Sequence, residues 1–150
     1  MVRVFGKYAA DREIEVKLDL ANDVMAPLVP VSLYNGLALN LFTNALKAVT
    51  AKSGDGRRLI AFRAWNEQDH HYLEVSDTGV GIPNSLRHRV FDPLFTTTAS
   101  NRDPLGSGMG LGLTLIRRGV ESYKGHIDLV DPPPGFSTCF RIKLPLMESE

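Results

Sequence analysis

The chain has 150 residues, enough for one domain with its own core, and its 43% hydrophobic and 23% charged content is that of an ordinary globular protein. Seventeen basic residues balance seventeen acidic ones, so the basic excess that nucleic-acid binding calls for is missing. No apolar run is long enough to span a bilayer, the N-terminus lacks a signal-peptide core, and a lone Cys139 excludes an intrachain disulfide or a multi-cysteine zinc site.

Residues 1–11 are weakly patterned and read as a linker or the end of a preceding helix. Ile14, Val16, Leu18 and Leu20 then alternate with Glu15, Lys17 and Asp19, which predicts a half-buried strand. Asn22-Asp23 and Pro27 to Pro30 mark a loop. A helix is expected from about Ser32, as N-cap, to about Thr50. At about 100° per residue, Ala38, Leu41, Phe42, Ala45, Ala48 and Val49 share one arc, and Asn40, Asn44 and Lys47 gather at its border. Two asparagines one turn apart inside a helix ask for a reason, because their side chains compete for backbone hydrogen bonds.

Ser53 to Gly56 reads as a turn. Leu59–Trp65 and Tyr72–Ser76 read as strands of a hairpin joined by the polar run Asn66–His70. The period of two puts Leu73, Val75 and Asp77 on one face, so a carboxylate is aimed at the core, where it is costly unless hydrogen-bonded. Two glycine clusters follow, Gly79/Gly81 after Asp77 and Gly106 to Gly112 before an apolar helical pattern. Glycine lets the backbone approach a ligand closely, and a helix N-terminus favours phosphate. Residues 83–90 suit a short helix, and 98–105 have loop composition. A helix is expected from about Met109 to Tyr123, stopped by Gly125, then strands at Ile127–Val130 and Thr138–Leu144. Hairpin strands segregated from helices suggest a two-layer α+β sandwich, one domain over 12–146 with a tail at 147–150.

Four stretches, in order, resemble the boxes of the GHKL ATP-binding superfamily. Asn40 to Ala48 looks like the N box, Asp77-Thr78-Gly79-Val80-Gly81 the G1 box, Phe91 to Phe95 the F box and Gly106 to Gly112 the G2 box. The closing strand, with Thr138-Cys139-Phe140 and ending in Leu144-Pro145, is similar too. An F box with a short lid resembles sensor histidine kinases rather than topoisomerases, mismatch-repair ATPases or chaperones. The resemblance implies the Bergerat fold, a mixed sheet packed on helices, and Mg-ATP as the bound nucleotide.

By the same resemblance, Asp77 accepts a hydrogen bond from the adenine amino group, competing with a role as cap of its own turn. Gly79, Gly81 and Ile82 line the base. Asn44, with Asn40, is implied to hold Mg²⁺, Lys47 reaches a phosphate, and Gly106, Gly108, Gly110, Leu111 and Gly112 cradle the phosphates. Arg102 either contacts the γ-phosphate or is an ordinary surface arginine, Thr138 holds a water beside Asp77, and Phe91 and Phe95 anchor the lid. For Asn40, Asn44 and Lys47 the competing reading is a solvated helix border. The hydrolytic branches of the superfamily carry a Glu where Asn40 stands, and an amide cannot serve as general base near neutral pH.

None of His70, His71, His88 and His126 sits in a phosphoacceptor pattern. The expectation is therefore the catalytic domain of a two-component histidine kinase. The acceptor His would sit on a separate dimerisation domain, with a response regulator downstream. Neither nucleic acid nor a membrane is expected to contact this domain, whose expected location is cytoplasmic. The alternatives are a non-catalytic nucleotide-binding regulatory module, or a protein kinase of the anti-sigma or mitochondrial type.

Overall fold

A computed structural model describes residues 13–54, 56–92 and 111–147, with Leu111 described by its backbone alone. In chain order the elements are β1 (Glu15–Leu20), α1 (Val31–Ala51), β2 (Leu59–Glu67), β3 (His70–Asp77), a 3₁₀ turn (Asn84–Arg89), α2 (Leu111–Ser122), β4 (His126–Val130) and β5 (Thr138–Pro145). The strands form one mixed sheet in the order β1-β2-β3-β5-β4. β1 runs parallel to β2 and the other neighbours are antiparallel. The helices pack on one face of it, as the two-layer reading expects.

The predicted arc of α1 is the buried one. Ala38, Leu41, Phe42, Ala45 and Val49 meet Ile60, Phe62, Leu73, Val75 and Ile142 in a single core. Ile116 and Val120 of α2 close that core from the side. α2 lies against α1 at Gly119, where an added Cβ would meet Leu33 Cδ1 at 3.4 Å, an ordinary contact.

Four local expectations are corrected. Ser32 is not the cap of α1: the helix starts at Val31 after Pro30, whose carbonyl accepts from the Tyr34 N–H, and no side chain caps it. Pro30 is extended (φ −56°, ψ 139°), and with no N–H of its own it adds no unmet donor at the helix start. The apolar side of β1 is less covered than its alternation suggests, with Leu18 44% and Leu20 62% exposed, because α1 packs on β2 and β3.

The hairpin is longer than predicted and turns on two residues, Gln68 and Asp69, with Gln68 at φ 54°. Its polar residues mislead because they serve a buried network. His71 is 2% exposed, with Nε2 2.7 Å from Tyr34 Oη and Nδ1 3.0 Å from the Asn66 amide. Turned with its nitrogen toward His71, that amide also accepts from the Met25 N–H, so the network pins the β1–α1 loop. Burial lowers the His71 pKa.

Finally, α2 stops before Gly125 as expected, but the glycine is not the left-handed residue of the turn. Lys124 takes the positive φ (62°), while Gly125 N donates to Val120 O and Lys124 N to Glu121 O. Gly125 is needed for space, since a Cβ would lie 2.5 Å from Lys143 O and 2.8 Å from Val120 Cγ1.

The sheet face opposite the helices is covered by its own side chains. Asp19, Arg63, Glu74, Arg141 and Asp128 lie in one cross-strand row of alternating charge. Glu74 is 5% exposed and receives Arg141 Nε at 2.8 Å and Nη2 at 2.6 Å, with Arg63 Nη1 at 4.0 Å. Beside the row, Trp65 stacks on Tyr72 at 5.0 Å between centroids, and the Arg63 guanidinium lies 4.5 Å over Trp65. Glu74→Ala would leave two guanidinium groups facing each other across a vacated site. Because Arg141 is partly solvated, a loss of about 2 kcal/mol is expected, to be measured by urea unfolding.

Candidate functional site

The site gathers where β3 ends. β3 carries Leu73, Val75 and Asp77 toward the helices, and all three are buried. Asp77 is 3% exposed, opposite Thr138 of β5, which is also buried. Asp77 Oδ1 accepts from the Gly79 N–H at 2.8 Å, so the turn-capping role is real. Among the described residues no group donates to its second oxygen, which leaves half of the carboxylate for a ligand. Burial pushes the Asp77 pKa up to about 7, and the Gly79 N–H works in the opposite direction.

The turn after Asp77 is fastened on three sides. Thr78 N donates to Leu59 O, Thr78 Oγ1 donates to Arg57 O at 2.8 Å, and Leu59 N donates back to Thr78 Oγ1 at 2.9 Å. Ser137 N donates to Asp77 O. On the helix side Val80 N donates to Ala48 O at 3.2 Å, and Lys52 Nζ donates to Thr78 O at 3.0 Å.

Gly79 has no room for a side chain. A Cβ would lie 2.4 Å from the carbonyl carbon of Ala48. Gly81 is required for a different reason, its φ of 74°. Of the two glycines expected to face the base, Gly79 is demanded first by contact with α1. Ile82 is partly buried against the core beyond the turn.

Four residues before the Ala48 contact, α1 presents its amide border. Asn44 and Lys47 are half-buried and Asn40 is exposed. The Asn44 Nδ2 atom is enclosed and meets no partner among the described residues. An enclosed amide N–H of this kind needs an acceptor from outside the described residues. Among the described residues no three His, Cys, Asp or Glu come together to hold a metal, so a cation here would depend on amide and phosphate oxygens, a set that suits Mg²⁺.

Phe91 anchors the segment leading out of the 3₁₀ turn. Its ring meets Phe140 edge-on at 6.1 Å, and its carbonyl accepts from Thr114 Oγ1 of α2 at 2.9 Å. That ties the F box to the start of the second helix. Gly112 stands in the first turn of α2, exposed, with nothing within 4 Å of a would-be Cβ. Arg102, Gly106, Gly108, Gly110, Phe95 and the side chain of Leu111 lie outside the described residues. The structure thus brings Asp77, Gly79, Gly81, Thr138, Asn44 and Lys47 to the same end of the fold. It adds two residues that periodicity did not single out, Thr78 and Lys52, and gives Ala48, expected only on the apolar arc, a backbone contact with the turn. Their contributions come from backbone carbonyls, a hydroxyl between strands and a residue just past a helix end, none of which has a sequence period.

Comparison with known proteins gives the family and the fold. The family model described as histidine kinase-, DNA gyrase B- and HSP90-like ATPase matches residues 33–148. The signal transduction histidine-protein kinase AtoS of Escherichia coli (strain K12) is 30% identical over 138 residues, covering 89% of this chain and 21% of that protein. The sensor kinase CckA of Brucella abortus (strain 2308) is 30% identical over 161 residues, covering 100% of this chain and 16% of that protein. The chain therefore spans about a fifth of the length of such relatives or less.

Among solved structures, the nucleotide-free catalytic domain of the histidine kinase ThkA superposes with a TM-score of 0.76 at 19% identity, covering 95% of this chain and 87% of that one. The mycobacterial sensor histidine kinase MprB gives 0.71 at 25% identity, with coverages of 95% and 89%. A buried carboxylate closing a core strand, an amide-lined helix border tied to its turn, and these likenesses lead to one conclusion: the chain belongs to the histidine kinase-, DNA gyrase B- and HSP90-like ATPase family and is an ATP-binding domain of it.

Proposed function

We propose that the domain binds Mg-ATP and presents the γ-phosphate to a histidine supplied by another domain, as the catalytic part of a two-component histidine kinase. The observation that carries this is Asp77: an acid buried at the end of β3, with one oxygen capping its turn and the other unclaimed. The adenine amino group is the donor that the second oxygen would take. Gly81 and Ile82 flank the base, and Thr138 orders a water beside it.

At the other end of the nucleotide, Asn44 and Asn40 would hold the Mg²⁺ and Lys47 would contact a phosphate. Gly106, Gly108, Gly110, Leu111 and Gly112 would give backbone N–H groups to the phosphates, and Arg102 would reach the γ-phosphate. When bound, the metal supplies charge neutralisation on the phosphate oxygens. The chain's own work is then to align the nucleotide and exclude water, which is most of what phosphoryl transfer requires. Asn40 is an exposed amide on α1, so this border has no carboxylate base to activate water, and transfer is favoured over hydrolysis.

Kinase relatives support a histidine acceptor over the anti-sigma and mitochondrial types. In the full protein the acceptor would sit on a dimerisation domain, and a response regulator would take the phosphoryl group next. This work would take place in the cytoplasm, where ATP is available. No helix among the described residues is long and apolar enough to cross a membrane.

The test is incubation with γ-labelled ATP and a separately made helical hairpin bearing a phosphoacceptor His. Label on the hairpin, lost when its His is replaced by Gln, is expected. Tight ATP binding with no transfer to any such hairpin would instead support a regulatory module that reads ATP without using it.

A further inference from the structure

The strongest unassigned polar contact on the helix side is that of Lys52. It stands one residue past the end of α1, half-buried, with φ −69° and ψ 124°. Its ammonium donates to Thr78 O at 3.0 Å. Thr78 O and the Gly79 N–H are the two ends of one planar peptide unit. The N–H end of that unit donates to Asp77 Oδ1 at 2.8 Å. A cation, a single peptide group and a buried carboxylate are therefore in series.

We propose that Lys52 is a positioning residue for base recognition, acting on Asp77 through the Thr78–Gly79 peptide. This rests on the reading of Asp77 as the adenine acceptor. Two physical effects follow from the series. A positive charge at the carbonyl end polarises the peptide and strengthens its N–H as a donor to the carboxylate. The same charge holds the peptide in the one orientation that helps. Gly79 has no Cβ to restrict rotation, and a flipped unit would aim a carbonyl oxygen at Asp77 instead of an N–H.

The other fasteners of the turn do not hold this peptide's orientation. Thr78 N and Oγ1 fix the residue to β2, and Val80 N fixes the next unit to Ala48. Only Lys52, among the described residues, holds the Thr78 carbonyl. Since Lys52 follows directly on the helix carrying Asn44 and Lys47, the base-reading carboxylate is set from the same element as the phosphate-side residues.

The experiment compares affinity for ATP with affinity for inosine triphosphate, whose base has a carbonyl oxygen where adenine has its amino group. Wild type, Lys52→Met, Lys52→Arg and Asp77→Asn are titrated by calorimetry, with thermal unfolding recorded for each. The wild type is expected to prefer ATP. In Lys52→Met that preference should fall about tenfold, through ATP alone, with little change in unfolding temperature. Lys52→Arg, which keeps a charged donor, should restore most of it.

An undiminished preference in Lys52→Met, or an equal loss for both nucleotides, would overturn the role of Lys52. If Lys52→Met fails to fold, Lys52→Gln serves, its neutral donor giving an intermediate preference; a wild-type preference in Lys52→Gln would overturn the charge argument. Asp77→Asn separates the two levels. If it keeps the wild-type preference, the adenine assignment itself is wrong. If it binds ATP no better than inosine triphosphate, or binds neither measurably, while Lys52→Met keeps the preference, only the relay is wrong.

Discussion

Asp77→Asn is expected to abolish measurable ATP binding in calorimetry while the domain unfolds at or above the wild-type temperature. The fold should survive because the Asn oxygen can still accept from the Gly79 N–H, the one hydrogen bond that Oδ1 makes. Binding should fail because a charged acceptor is replaced by an amide that also presents donors to the adenine amino group. A hydrogen bond to a charged group is worth roughly 1.5–3 kcal/mol, and an unmet donor adds to that loss.

The pH dependence gives a second reading of the same residue. The folded-state pKa of Asp77, about 7, lies above the ordinary carboxyl value of 3.8, so the folded chain holds this proton more tightly than the unfolded chain. Its contribution to stability is therefore full below 3.8 and is lost as pH rises through about 7, at up to roughly 1.4 kcal/mol per pH unit. The nucleotide-free domain should lose stability across that window relative to Asp77→Asn, whose side chain does not titrate. Affinity for Mg-ATP should move oppositely, rising until Asp77 is ionised and then levelling. A flat profile for wild-type binding would contradict an ionised acceptor.

Gly79→Ala is expected to do the reverse of an isolated binding defect, lowering stability and nucleotide affinity together. The added methyl would sit 2.4 Å from the carbonyl carbon and 2.6 Å from the carbonyl oxygen of Ala48, both backbone atoms of a packed helix that cannot step aside. The turn must withdraw from α1. That stretches the Val80 N to Ala48 O bond and the Lys52 contact with Thr78, and it moves the N–H that caps Asp77. Overpacking of this kind costs about 1–3 kcal/mol, and the lost hydrogen bonds bring the expected loss to roughly 3 kcal/mol in chemical denaturation. Calorimetry at a temperature where the variant remains folded should still find ATP affinity reduced tenfold or more. A stable Gly79→Ala that binds normally would mean that the turn is held less firmly against α1 than the structure has it.

The two variants together separate chemistry from geometry. Asp77→Asn changes the acceptor and leaves the turn in place; Gly79→Ala keeps the acceptor and displaces the turn. Lys52→Met falls between them, since it keeps both groups and releases only the peptide between.

Much of this domain is legible in the order of its residues. The period of 3.6 in α1 and of two in β3 assigned the buried arc of the helix and turned Asp77 inward. Burial is a property of one face of one element, and periodicity reports faces. The charge of Asp77 at such a position already signalled a site, because an acid aimed at a core needs a partner. Glycine and proline marked the turns, but not always for the right cause: Gly125 is there for space while Lys124 carries the left-handed φ, and Pro30 rather than Ser32 begins α1.

Tertiary structure decided the rest. Which strands α1 covers, and hence that Leu18 and Leu20 stay exposed, depends on the position of the helix across the sheet. That Gly79 must be small depends on Ala48, 31 residues earlier in the chain. That Lys52 reaches the peptide beside Asp77 depends on where α1 ends relative to the end of β3. These are contacts between backbone atoms and between elements far apart in sequence. Backbone groups are the same in every residue, so their partners leave no pattern in the letters and are settled only when the elements pack.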